Sequence, residues 1–313
     1  MSKVVLGVGA SHSTLMNTHW DAVEDLAAAT AFRDALYEAR DFIAEQNPDV
    51  AIIIGSNHFR GFWLDLLPAF TIGVGECIAS GESGTPKGPQ SVDTDLARHL
   101  CTSVVDAGFD PAFSVKLQID HGISHAIQYL LDGIEIPIVP VVVNMFAPPL
   151  PTLARAEQLG AALGAAVASD GASKNVVVIG SGGLSHRLPW PRWYDPHSAD
   201  DEFMVEAWTE GRNEWEKYDP RRREIIRAAS AGISPDWDLE FLGRLEAGEL
   251  SHYAGYTSER IEAEAGNGAQ EVRSWLMMAA AAGHGPGRTL TYQAIDQWLT
   301  GMGVAIVEPR KAG

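Results

Sequence analysis

The sequence of 313 residues has few cysteines and no apolar run of membrane-spanning length. Cys77 and Cys101 are its only cysteines, which are too few for a disulfide framework or for a zinc site made of thiolates. This cysteine usage predicts a protein of the reducing cytoplasm. The first residues continue directly into a strand pattern, so a signal peptide is not expected.

Basic residues are also scarce, because 23 Lys and Arg stand against 41 Asp and Glu and the formal net charge is −18. An acidic field of this size repels phosphate backbones, so nucleic acid is not an expected partner. An anionic small molecule would need a local basic group in its binding site. Hydrophobic residues make up 46% of the chain, which is enough for a large core.

The first 180 residues alternate between continuous apolar runs and helical patterns. Such runs are typical of strands that are covered on both faces, as in a parallel sheet between helices. We therefore expect one α/β domain over residues 1–313, a sandwich around a mixed, mostly parallel sheet with a helical excursion near 190–265. The Gly-, Ser- and Pro-rich segment 79–90 is expected to be a loop.

Four short histidine motifs contain His12, His58, His121 and His186, and three of the four follow a predicted strand. Ligands of open α/β sheets gather at the carboxyl ends of the strands. Histidine is also the commonest metal ligand and the usual acid or base near neutral pH. The pattern predicts that these distant histidines converge, although each of them alone could be an ordinary turn residue.

A metal bound by His12 and His58 needs a third ligand, and Glu271 is the candidate that the pattern favours. Two histidines and one carboxylate on one face leave positions for substrate and O2, as in non-haem Fe(II) oxygenases. Glu271 precedes a predicted apolar helix over 270–282, so a helix-capping role is the alternative.

Residues beside these histidines could bind substrate. Phe59 and Arg60 follow His58, where an aromatic side chain could face a substrate ring and a guanidinium could meet a carboxylate. Packing in the core or at the surface is their alternative role. Asp120 precedes His121, but sequence neighbours usually point apart, so an Asp–His pair is not assured.

The glycines in 180–186 allow the backbone to approach a ligand closely just before His186. The segment fits neither the GxGxxG dinucleotide pattern nor the GxSxG nucleophile elbow. A tight exit from the preceding strand is the alternative explanation.

Taken in order, these motifs resemble the class III extradiol ring-cleavage dioxygenases of the protocatechuate 4,5-dioxygenase β-subunit superfamily. The resemblance covers nearly the whole chain and is greatest to the 2,3-dihydroxyphenylpropionate 1,2-dioxygenase branch. The motifs that carry it are Gly-Ala-Ser-His12, Asn-His58-Phe-Arg-Gly-Phe, Leu67-Pro-Ala-Phe-Thr-Ile-Gly-Val-Gly, Gln118-Ile-Asp-His121-Gly, Pro140-Val-Val-Val-Asn144, Gly-Ser-Gly-Gly-Leu-Ser-His186, the Glu271 helix and Ile295-Asp-Gln-Trp298.

The resemblance implies the role of each matching residue. His12, His58 and Glu271 would bind Fe(II), His186 would be the catalytic acid and base, and His121 would assist proton transfer. The family uses no organic cofactor and is usually oligomeric, so a homo-oligomer is expected. The implied reaction is extradiol cleavage of a catecholic aromatic acid by O2 in the catabolism of aromatic compounds.

Two other functions fit the same residues. A zinc hydrolase could use the same three ligands, and superfamily members are known that keep the fold without dioxygenase activity. Zinc content with indifference to O2 would indicate the first, and an unreactive pocket without bound metal would indicate the second. The sequence does not specify which catechol is the substrate.

Overall fold

A computed structural model describes residues 1–310 of the chain. It contains one mixed sheet of nine strands. The strands are Lys3–Ala10 (β1), Val50–Ser56 (β2), Phe70–Ser80 (β3), Lys87–Gln90 (β4), Ala112–Ile119 (β5), Ile138–Val143 (β6), Asn175–Ser181 (β7), Gly287–Ile295 (β8) and Thr300–Val307 (β9).

The α-helices cover the two faces of the sheet and one of its ends. They are Leu15–Thr18 (α1), Leu26–Glu45 (α2), Thr94–Asp106 (α3), His121–Leu130 (α4), Leu153–Ser169 (α5), Ala199–Arg227 (α6), Pro235–Glu246 (α7), Ser258–Ala265 (α8) and Val272–Ala281 (α9). In the part of the chain that the structure describes, no helix combines the length and apolarity that crossing a membrane requires.

The strand order is β4-β3-β6-β2-β7-β1-β9-β8, with β5 paired to β3 beside this path. The central strands β6, β2, β7 and β1 are parallel, and antiparallel strands flank them on both sides. The predicted α/β class with a mixed, mostly parallel sheet is therefore confirmed. The predicted helical excursion near 190–265 corresponds to α6, α7 and α8.

The sheet separates two hydrophobic cores, and β2 explains why its sequence is continuously apolar. Val50, Ile52 and Ile54 pack on one face with α3, α5 and α9. Ala51 and Ile53 pack on the opposite face with α2 and α4. Since successive side chains of a strand point to opposite faces, a strand covered on both faces needs apolar residues at every position.

The registers of the parallel strands bring their carboxyl ends to one edge of the sheet. Ala10 pairs with Ser181, and Ser56 pairs with Val143. The segments that follow β1, β2 and β7 consequently begin close to one another. The predicted functional residues lie in or beside these segments.

The expectation of a loop over 79–90 holds for 81–86 but is wrong at both ends. The strand β3 continues to Ser80, and Lys87–Gln90 returns beside it as the antiparallel strand β4. Gly81, at φ 73°, supplies the left-handed backbone that the reversal requires. Glycine and proline therefore mark a hairpin and an edge strand here rather than an irregular loop.

Alanine substitution of Gly160 tests how closely α5 packs on α9. A Cβ at this position would overlap the backbone carbonyl oxygen of Met277. We expect Gly160→Ala to lower the free energy of unfolding by about 1–3 kcal/mol, although alanine is the better helix former. Urea unfolding measures the effect.

Gly243→Ala in α7 is the matched control, because no atom of residues 1–310 outside the local helix lies within 4 Å of the added Cβ. This variant should gain about 0.5–1 kcal/mol from helix propensity. Equal responses of the two variants would contradict the close packing of α5 on α9.

Candidate active site

Four histidines and a glutamate converge at the carboxyl edge of the central strands. His12 follows β1, His58 follows β2 and His186 follows β7, while His121 begins α4 after β5. Glu271 precedes α9. All five residues are buried and line one cavity, as the sequence predicts for groups at strand ends.

The glutamate carboxylate faces both of the histidines proposed as metal ligands. Its Oε1 lies 3.3 Å from Nε2 of His12 and 3.5 Å from Nε2 of His58. The two imidazole rings are nearly perpendicular, with centroids 5.4 Å apart. Two nitrogen atoms and a carboxylate oxygen therefore point at one position, which is the donor set of a divalent metal site.

The other nitrogen of each of these histidines is held by the protein. Nδ1 of His12 lies 2.9 Å from Oγ of Ser181, and Nδ1 of His58 lies 3.2 Å from Oδ1 of Asp120. Asp120 also accepts the backbone N–H of His58. Such contacts fix ring orientation and tautomer, and carboxylate–histidine pairs are typical around metal ions.

Buried Glu271 is stabilised in its charged form by its contacts. It accepts hydrogen bonds from the hydroxyl of Ser56 and, at 2.7 Å, from the backbone N–H of Gly183. Burial disfavours the charged form, but His12 and His58 outweigh it and hold the pKa of Glu271 well below 4.5. A Cβ at Gly182 would overlap Glu271, which explains a glycine there.

Two observations indicate that a cation fits this position. Nε2 of His12 is buried and lacks a hydrogen-bond partner within residues 1–310. Burial opposes the charged form of His58, yet Asp120 and Glu271 raise its pKa to about 9. A divalent cation would satisfy the first nitrogen and replace the proton on the second.

His121 adds a further nitrogen close to the same point. Its ring stacks on the ring of His58 with centroids 3.7 Å apart. One ring nitrogen of His121 lies within 4.8 Å of a ring nitrogen of His12 and of one of His58. Its Nδ1 lies 2.6 Å from the carboxylate of Glu82. Burial and the charge of His58 lower the pKa of His121 to about 4, so its neutral form predominates near pH 7.

His186 is fixed through one ring nitrogen. Its Nδ1 lies 2.8 Å from the backbone carbonyl oxygen of Leu184 and 3.2 Å from the hydroxyl of Thr300. The carbonyl can only accept, so Nδ1 carries the proton and Nε2 is left as the basic nitrogen. Burial lowers the pKa of His186, which keeps the ring neutral near pH 7.

The segment that carries His186 is anchored by a buried carboxylate from the helical excursion. Asp238 in α7 accepts hydrogen bonds of 2.7 Å from the backbone N–H and from the hydroxyl of Ser185. The hydroxyl of Tyr292 in β8 donates a third, also at 2.7 Å. Asp238 therefore connects the helical excursion, the edge of the sheet and the backbone next to His186.

The three residues expected to bind substrate occupy different environments. Arg60 lines the cavity, but its guanidinium is paired with Glu82 and Asp219 at 3.1 and 3.3 Å. Phe59 is fully buried behind the cavity wall and stacks on Trp208 with centroids 4.4 Å apart. Asp120 contacts His58 rather than the cavity.

The sequence alone did not indicate several residues that complete the site. These residues support the histidines or line the cavity wall, and they are Ser181, Glu82, Asp238, Thr300 and Arg222. None lies in a motif with a recognisable spacing, apart from Ser181 within the glycine-rich segment. Their roles depend on contacts between segments far apart in the chain.

Residues 7–303 match the family described as the catalytic LigB subunit of aromatic ring-opening dioxygenase. The chain belongs to this family, and it is an extradiol dioxygenase. The buried set of histidines and carboxylates described above could hold the metal on which such enzymes depend.

Several curated relatives carry the name 2,3-dihydroxyphenylpropionate/2,3-dihydroxicinnamic acid 1,2-dioxygenase. A Rhodococcus sp protein is 35% identical over 94% of this chain and 95% of its own length. A protein of Paraburkholderia xenovorans LB400 is 36% identical over 87% of this chain and 88% of its own length. A protein of Mycolicibacterium smegmatis is 34% identical over 96% of this chain and 97% of its own length.

Among solved structures, an uncharacterized protein from Escherichia coli K12 has the same fold. The TM-score is 0.52, with 97% of this chain and 99% of that chain covered. The sequences are 11% identical, so the similarity concerns the fold alone.

The titration of Asp238 provides a test of the anchor next to His186. Burial raises the pKa of this carboxyl group to about 6 from 3.8, so the folded protein binds the proton more tightly than the unfolded chain does. The resulting stabilisation is complete below about pH 4 and is lost as the pH rises through 6. Asp238→Asn abolishes this titration.

The free energy of unfolding of the unsubstituted protein, relative to Asp238→Asn, should therefore fall by up to about 3 kcal/mol between pH 4 and pH 7. Urea unfolding of both proteins across this pH range measures the free energies of unfolding. Groups that titrate alike in both proteins contribute equally, so they do not affect the difference between the two free energies. A difference that stays constant with pH would contradict the raised pKa.

Proposed function

We propose that the protein is an Fe(II)-dependent extradiol dioxygenase that opens a catecholic aromatic acid and incorporates both atoms of O2. His12, His58 and Glu271 would hold the metal. The observation that carries this proposal is the buried, unpartnered Nε2 of His12, which shares Glu271 with Nε2 of His58. Two histidines and a carboxylate leave coordination positions for the diol and for O2.

His121 is less suitable than Glu271 as the third ligand. The neutral imidazole of His121 would not offset the charge of a divalent cation. Glu271 is anionic, buried and in contact with both other ligands, and anionic oxygen is well suited to Fe(II).

Bound Fe(II) would act as a Lewis acid that lowers the pKa of the diol hydroxyl groups and would bring the diol and O2 together. The protein would move the protons. His186 can accept one at Nε2 from a substrate hydroxyl, because Nδ1 already donates to Leu184, and can return it later as an acid. His121, oriented by Glu82, would assist through its Nε2.

The substrate that we propose is a 2,3-dihydroxyphenylpropionate-like catechol, consistent with the names of the relatives. The cavity combines the four histidines with apolar residues such as Leu188 and Trp190, which suit an aromatic ring. Arg60 lines the same cavity, where Glu82 and Asp219 compensate its charge. Phe59 and Asp120 would act indirectly, by supporting Trp190 and His58.

The direct test is anaerobic reconstitution with Fe(II), followed by measurement of O2 uptake and visible absorbance with a panel of catechols. One O2 consumed per substrate, with a yellow ring-opened product, is the expected result. Iron binding without O2 uptake for any catechol would contradict the proposed reaction.

Alanine substitutions should separate metal binding from proton transfer. His186→Ala should keep iron and lose about 10²- to 10⁴-fold in kcat, the usual contribution of a general acid or base. His12→Ala should lose the iron itself, because it removes one of three ligands. Metal analysis of the purified proteins and initial rates of O2 uptake measure the two effects.

His197→Ala is the matched control, since this histidine is exposed and lies outside the cavity. It should retain both iron and turnover. Normal turnover of His186→Ala would refute its acid–base role, and full iron content in His12→Ala would refute its role as a ligand.

We further propose that residues 1–313 act as one catalytic domain and that the protein forms a homo-oligomer. The continuous sheet, in which β1 pairs with both β7 and β9, supports the first point. Sedimentation measurements test the second.

A further inference from the structure

We propose that Arg222 in α6 binds the carboxylate of the substrate and thereby selects acidic catechols over neutral ones. This inference rests on the proposed ring-cleavage function. Arg222 lines the same cavity as the four histidines and Glu271, yet it is only 6% exposed. The helical excursion supplies it, so it is far in sequence from every motif residue.

Within residues 1–310, the guanidinium group of Arg222 has no charged side chain as a partner. No ion pair within residues 1–310 involves it, and its Nε is buried without a hydrogen-bond partner. An unpaired charge in the interior is costly, and its removal is often stabilising. A binding site for an anion is a physical reason to keep it.

The nearest carboxylates are already engaged by other residues. Glu82 contacts His121 and Arg60, and Asp219 contacts Arg60 and Arg223. The third, Asp120, holds His58. Four guanidinium groups line this cavity in residues 1–310, those of Arg60, Arg222, Arg223 and Arg227, and Glu82 and Asp219 pair with Arg60 and Arg223. Of the two that have no ion pair there, Arg227 is exposed and Arg222 is buried, so Arg222 offers an uncompensated interior charge to a ligand in a protein of net charge −18.

Arg60 is less suited to bind the substrate carboxylate, although it lines the same wall. Besides its two ion pairs, it lies over the ring of Trp215 at 3.5 Å from the centroid. Its donors are committed to Glu82 and Asp219, and substrate binding would have to break these contacts. Arg222 could bind the substrate carboxylate without first breaking an ion pair.

Trp190 connects the carboxylate site with the reactive end of the cavity. Its ring lies 5.8 Å from that of His58 and 5.9 Å from the guanidinium of Arg222. A catechol ring beside the histidines could therefore extend a short side chain along the indole toward Arg222.

The site is tested by comparing two substrates that differ in one group of the side chain, 2,3-dihydroxyphenylpropionate with a terminal carboxylate and 3-propylbenzene-1,2-diol with a methyl in its place. For Arg222→Met we expect kcat/KM to fall about 100-fold with the acid, mainly through KM, as for loss of a charge-assisted pair. With the neutral diol it should change less than about threefold. Arg222→Lys should recover part of the loss, because it keeps the charge without the planar fork.

The matched control is Arg221→Met, on the same helix but exposed and paired with Asp200. It should leave both substrates unaffected. Arg222→Met should also unfold at no lower temperature than the unsubstituted protein, because it removes an unpaired buried charge and keeps an apolar stem. Equal losses with both substrates, or no loss with the acid, would overturn the proposal.

A binding measurement without metal separates this inference from the proposed reaction. Calorimetric titration of the metal-free protein should give a dissociation constant for 3-phenylpropionate that is at least tenfold lower than that for 3-phenylpropan-1-ol. Arg222→Met should abolish this difference in affinity. Retention of this preference in Arg222→Met would refute the carboxylate site. Arg222-dependent binding without turnover of either diol would refute only the ring-cleavage proposal.

Discussion

The buried carboxylate of Glu271 is the interaction on which the rest of the site depends. A charge removed from water is tolerated only where it is paired and hydrogen-bonded. Here the last residue of β2 contributes the hydroxyl of Ser56, the segment after β7 contributes the N–H of Gly183, and His12 and His58 face the same oxygen. The requirement to satisfy one carboxylate thus brings three strand ends and α9 into a single arrangement.

Around this carboxylate, the protein holds one nitrogen of each histidine and leaves the other for chemistry. Ser181, Asp120, Glu82 and the carbonyl of Leu184 contact the Nδ1 atoms of the four rings in turn. The partners differ in charge, so chemically identical side chains acquire different proton affinities within one cavity: the pKa of His58 is raised, and those of His121 and His186 are lowered. Fixed tautomers are a precondition for both metal binding and proton transfer.

Much of the architecture was accessible from the sequence because the central strands are buried on both faces, and continuous apolar runs such as 50–55 follow directly from that. The predictions failed where glycine serves close packing instead of a turn. Thr300–Val307 is a fully buried strand although it contains Gly301 and Gly303, where a Cβ would overlap Asp238 and Leu184. Its partner Gly287–Ile295 is a half-exposed edge strand without clear alternation, so neither strand was predicted.

The α/β class, the histidines at strand ends and the family resemblance could be read from the amino-acid sequence, because periodicity and motif order are local properties of the chain. Which side chains contact one another depends on how the chain packs in three dimensions. Ser56 and Glu271 are 215 residues apart, and Asp238 reaches Ser185 across 53 residues. This packing also decides that Arg60 is neutralised by Glu82 and Asp219 while Arg222 stays unpaired within residues 1–310. Charge pairing depends on distances of a few ångströms between remote segments, which only packing of the whole chain sets.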